Sequence, residues 1–110
     1  MTTTSSPART RHGLAVVTAL NEAITTAMNR FGDRHGCRPM HWYLPEVNCF
    51  DRGDVIGVPG PTGDDRATGV RVTQAWAHLL DLAERADEMP GYRSWFGVVG
   101  SSRIEIWCKA

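Results

Sequence analysis

Apolar positions between residues 14 and 31 recur at steps of three and four. Val17, Leu20, Ile24, Ala27, Met28 and Phe31 fall on one helical stripe. Gly13 and Gly32 bracket the segment, and Gly32 suits the residue just past a helix end, where a positive φ is needed. Glu22 and Arg30 are its charges, and Thr18, Asn21, Thr25, Thr26 and Asn29 lie between them. A helix of such weak formers must be held by packing on a sheet.

From Met40 to Leu44 the period changes to two. Met40, Trp42 and Leu44 point one way, His41 and Tyr43 the other, and Pro45 ends the run. Val47–Phe50 and Val55–Val58 read as short strands joined by the turn signal Asp51-Arg52-Gly53-Asp54. Residues 59–66 form a loop without an apolar anchor. Val70 and Val72 alternate as a short strand, and Thr73 then caps a second helix over 74–87. Its buried stripe is Trp76, Leu79, Leu80 and Ala83, and Met89-Pro90-Gly91 stops it. Trp95–Val99 and Arg103–Lys109 alternate across Gly100-Ser101-Ser102 as a hairpin. Ile104, Ile106 and Cys108 take the core face; Arg103, Glu105, Trp107 and Lys109 take the other.

These elements predict an α+β fold. A mostly antiparallel sheet of four to five strands carries two helices on one face, in the order α-β-β-β-α-β-β. Residues 1–12 offer little to bury and read as a disordered tail; 13–110 read as a single domain.

Composition narrows the function. Twelve Lys+Arg balance twelve Asp+Glu in 110 residues, which argues against a polyanion binder acting by bulk charge. The charge is nonetheless segregated. Residues 1–45 set five Arg against Glu22 and Asp33, whereas residues 46–65 set Glu46, Asp51, Asp54, Asp64 and Asp65 against Arg52. No apolar run reaches the length of a membrane span, and no secretory signal stands at the start. With three cysteines, an odd number, the expected setting is the cytoplasm with reduced thiols. Four Trp, and Arg in place of almost every Lys, favour a contact surface.

The densest chemical cluster is His35, Cys37 and His41, with Cys49 following. His and Cys are zinc ligands, but the spacing matches no zinc-finger pattern. Cys37, between Arg34 and Arg38, is the best-placed reactive thiol; packing alone explains Cys49 and Cys108. The four residues define one alternative, a small metal-binding or cysteine-dependent enzyme. Asp51, Asp54, Asp64 and Asp65 read as turn formers. The glycines of 57–63 make a weak phosphate cradle, because two prolines remove donors and no helix follows at once. Arg30, Arg34 and Arg38 with Trp42 and Tyr43 define a second alternative, a single-stranded nucleic-acid binder.

From Thr73 to Lys109, a helix containing Ala75-Trp76-Ala77 precedes the two-stranded end Val98-Val99-Gly100 and Arg103-Ile104-Glu105-Ile106-Trp107. This third of the chain resembles small accessory proteins of phages and mobile elements of GC-rich bacteria. The resemblance implies a mobile-element origin and action by occluding a host protein, as inhibitors of host defence proteins do. No functional residue carries over from it. The expected function is therefore a non-catalytic protein-interaction module, with Trp107, Arg103, Tyr43, Trp42 and Arg38 as contact residues. No cofactor and no membrane partner are expected, and pairing of two copies through an edge strand stays open.

Overall fold

The computed structural model describes residues 11–45, 53–60, 65–86 and 89–110. The elements in chain order are α1 (Arg11–Asp33), β1 (Met40–Tyr43), β2 (Val55–Pro59), α2 (Arg66–Leu80), β3 (Ala83–Arg85), β4 (Tyr92–Val99) and β5 (Ser102–Lys109). The strands form one five-stranded sheet in the spatial order β1-β2-β5-β4-β3. Three neighbouring pairs are antiparallel and one, β2 with β5, is parallel. The architecture is the α+β fold expected, with the order α-β-β-α-β-β-β among the described residues. The strand expected at Val47–Phe50 lies outside them.

Helix α1 starts at Arg11, inside the segment expected to be a tail, and runs through Gly32 to Asp33. Its end is built one turn later than the sequence suggests. Gly36 has φ 79°, Cys37 N–H donates to Gly32 C=O at 2.9 Å, and Gly36 N–H donates to Asp33 C=O at 3.3 Å. That is a Schellman closure with Gly36 in the left-handed position. Gly32 serves packing instead, because a Cβ there would lie 2.2 Å from the Trp76 ring.

Helix α2 begins eight residues earlier than expected. Asp65 caps it, accepting from the N–H groups of Ala67 and Thr68 at 3.0 and 3.3 Å. Val70 and Val72 therefore lie on this helix and not on a strand. The buried row is Gly69, Val72, Thr73, Trp76 and Ala77, a complete three-four pattern. Asp81 closes the helix in the left-handed region, and Ala83–Arg85 leaves it to become an edge strand.

Both helices reach the same face of the sheet. Trp76 of α2 meets Trp42 of β1 edge to face, with ring centroids 4.9 Å apart, and abuts Gly32 of α1. Trp42 lies over Gly57 of β2, where a Cβ would come within 2.6 Å of its ring. Ile104, Ile106 and Cys108 point into this core as expected. The final hairpin is longer than predicted, pairing Tyr92 with Lys109 through to Val99 with Ser102.

Candidate functional site

The structure separates the five expected contact residues. Trp107, Arg103 and Tyr43 alternate with core residues, so they share the helix-free face of the sheet. Trp42 is corrected: it is fully buried on the opposite face and offers no surface to a partner. Arg38 is exposed in the segment between α1 and β1, and its carbonyl accepts the Trp76 indole N–H at 2.8 Å. Arg103 is committed to Asp54, with a guanidinium–carboxylate contact of 3.0 Å and a backbone N–H donated to the carboxylate at 2.8 Å. Tyr43 stacks on His41 at 5.8 Å.

The His and Cys cluster is pulled apart by the topology. Cys37 is buried beside the core, and burial pushes its thiol up from the ordinary range, opposite to what a nucleophile needs. His35 is exposed at the end of α1 against Phe31, at 4.7 Å, while His41 stands on the helix-free face of the sheet. Cys49 lies outside the described residues. Among the described residues no group of three His, Cys, Asp or Glu side chains is placed to hold a metal ion. The basic-aromatic surface of the second alternative does not assemble either: Arg30, Arg34 and Arg38 are exposed, but Trp42 is buried in the core.

What the sequence reading missed is the rotation of α1. Asn21, Thr25 and Asn29, spaced by four, face the free edge of β1. Asn29 Oδ1 accepts from Met40 N–H at 2.9 Å and its Nδ2 donates to Met40 C=O at 2.8 Å. Thr25 Oγ1 donates to Trp42 C=O at 2.9 Å and accepts from Trp42 N–H at 3.0 Å. Asn21 Oδ1 accepts from Leu44 N–H at 2.9 Å. The periods agree: four helical residues rise about 6.0 Å and two strand residues about 6.6–6.8 Å. A polar row of the helix thus stands in for a sixth strand.

Turning that row to the sheet leaves half of the apolar band outside. Ile24 and Met28 pack on the core. Leu14, Val16, Leu20 and Phe31 are 57%, 56%, 46% and 42% exposed, and Ala23 and Ala27 are exposed between them. Leu20, Ala27 and Phe31, expected in the core stripe, therefore lie on the exposed side of the helix. Val16, Leu20, Ala23, Ala27 and Phe31 make an uncharged strip at steps of four, three, four and four. Isolated exposed apolar residues are ordinary, but an aligned strip on one helix is not.

A second feature is a cleft of about 510 Å³ at the carboxyl ends of the parallel strands β2 and β5, beside the start of α2. Trp107 and Lys109 of β5, Tyr92 of β4 and Arg66 of α2 line it. No family model matches the sequence, no curated protein matches it, and no solved structure matches the fold.

The Asp54–Arg103 pair gives a pH dependence. The Arg103 guanidinium and backbone N–H hold the Asp54 carboxyl below its usual range. Thr68 does the same for Asp65, and Arg93 for Glu84. A carboxyl depressed in the folded state stabilises the fold above its unfolded value, near 4. That contribution disappears as pH falls through the folded value. Urea midpoints are therefore expected to fall steadily as pH drops below about 4, and Asp54→Asn is expected to flatten part of the slope. An unchanged slope in Asp54→Asn would show the pair to be energetically idle, as many exposed pairs are.

Proposed function

We propose that this chain is a non-catalytic protein-interaction module that presents the outer strip of α1 to an apolar groove on another protein. The observation supporting this reading is the exposure of Val16, Leu20 and Phe31 on one side of a helix whose other side is locked to β1. A rigid amphipathic helix with an uncharged outer strip fits the helix-in-groove mode of recognition. Preorganisation lowers the ordering cost of binding. The strip replaces Trp107, Arg103, Tyr43, Trp42 and Arg38 as the principal contact. Trp42 is inaccessible and Arg103 already has a partner. An inhibitor that occludes a host protein is the form of this function implied by the resemblance of residues 73–109.

Pairing of two copies through β1 is disfavoured, because α1 occupies that edge; the opposite edge, β3, has only three residues. Among the described residues no helix is long and apolar enough to cross a membrane.

A photo-crosslinking residue placed at Leu20 or Phe31 tests the proposal in extract of the source cell. One dominant protein adduct is expected at both positions and a much weaker one at Thr26, which lies off the strip, about 100° around the helix from Ala27. Leu20→Glu should weaken capture at least tenfold while changing stability by less than about 0.5 kcal/mol. Labelling at Thr26 as strong as at Leu20 and Phe31, or no adduct at either strip position, would overturn the reading. A self-adduct accompanied by a dimer in sedimentation would replace the foreign partner with a second copy.

A further inference from the structure

The cleft beside α2 is independent of the α1 strip, and its lining is chemically specific. Trp107 and Tyr92 supply aromatic surface. They lie on the same face of adjacent strands, since Trp107 pairs with Ser94, two residues from Tyr92. Arg66 and Lys109 supply two cations, and neither has an ion pair among the described residues. The volume, about 510 Å³, lies within the range of small-molecule sites. Its place, outside the carboxyl ends of two parallel strands, is where open sheets with parallel strands commonly bind ligands.

We propose that this cleft binds a mononucleotide-like ligand, a planar heteroaromatic ring carrying a phosphate. The ring lies against Trp107 and Tyr92, and the phosphate is held by Arg66 and Lys109. The helix end itself does not hold the phosphate. Asp65, also on the cleft, already takes the amides of Ala67 and Thr68 and the Thr68 hydroxyl, and its carboxylate repels an anion from that spot. The ring is needed to orient the ligand, and the cations are needed to offset Asp65.

Tryptophan fluorescence provides the readout, because Trp42, Trp76 and Trp95 are buried in the core while Trp107 lines the cleft. Adenosine 5′-monophosphate is titrated against the full chain, with adenosine and inorganic phosphate as separate arms and calorimetry alongside. The nucleotide is expected to bind at least tenfold more tightly than either part. Lys109→Gln and Arg66→Gln are each expected to weaken it about tenfold or more, the size of a charged hydrogen bond. Trp107→Ala removes the stacking ring and should cost about fivefold or more. Near-ultraviolet circular dichroism confirms that each variant is folded. No binding of the nucleotide at about 1 mM overturns the proposal. So does phosphate binding as well as the nucleotide, or binding indifferent to both cation substitutions.

Discussion

Replacing Trp76 with alanine is expected to remove about 3–5 kcal/mol of stability, the range for truncating a buried aromatic. A domain of this size holds about 5–15 kcal/mol in total, so Trp76→Ala should lose a large share of it and unfold at a much lower urea concentration. The reason is positional. Trp76 is fully buried, stacks edge to face on Trp42, donates its indole N–H to the Arg38 carbonyl and fills the notch left by Gly32. One side chain therefore ties α2 to α1, to β1 and to the segment between them. Trp76→Phe keeps most of the apolar area but orphans the Arg38 carbonyl, and it should cost about 1–3 kcal/mol. Gly32→Ala adds a reciprocal test. Helix propensity alone favours alanine by about 1 kcal/mol, yet its Cβ would meet the Trp76 ring at 2.2 Å. Gly32→Ala should therefore destabilise the wild-type chain and be better tolerated beside Trp76→Phe, where the clashing outer ring atoms are gone. Urea unfolding of the four chains gives the coupling, expected to exceed 0.5 kcal/mol. Additivity would show that the notch and the ring do not meet in solution.

The same contacts explain which parts of the fold were legible in the sequence. The period-two runs of β1 and β5 were readable because their core faces are made of large apolar residues, such as Trp42 against Ile104 and Ile106. The start of α2 was not, because its buried row opens with Gly69 and contains Thr73, neither of which registers as apolar. Gly69 lies against Pro59, where a Cβ would make ordinary contact at 3.6 Å. Thr73 is tolerated in the core because its hydroxyl donates to the Gly69 carbonyl at 2.7 Å. Val70 and Val72 then looked like strand alternation because only a stretch of the true helical pattern was visible. In the cluster at His35, Cys37 and His41, offered as an alternative, nearness in sequence is not nearness in space. A helix end, an exposed turn and a strand intervene, and they send the three side chains in different directions.

The rotation of α1 was legible in principle, and it decides both stability and the proposed function. Thr25→Val replaces the hydroxyl with a methyl of similar size and leaves Trp42 N–H and C=O without a partner at the sheet edge. Asn29→Leu does the same to Met40 and also removes the acceptor of the Trp42 indole N–H, now at 3.2 Å. With about 1–3 kcal/mol for each buried group left unsatisfied, Asn29→Leu is expected to cost more than Thr25→Val, and the double variant more than either. Thr25→Ser, which keeps the hydroxyl, should stay within about 1 kcal/mol of wild type. A hydrophobic view of helices predicts the opposite sign, because leucine is a better helix former than asparagine and extends the apolar band. Urea midpoints therefore separate a polar row that pairs with a strand edge from an ordinary amphipathic helix. Amide exchange adds a second readout. The N–H groups of Met40, Trp42 and Leu44 should be protected in the wild type, and those of Met40 and Trp42 should lose that protection in the double variant. The uncovered edge should also make the double variant prone to strand pairing between molecules, seen as concentration-dependent association in sedimentation. If Asn29→Leu stabilises the chain, α1 does not sit on β1 in this rotation, and the exposed strip at Val16, Leu20 and Phe31 loses its structural basis.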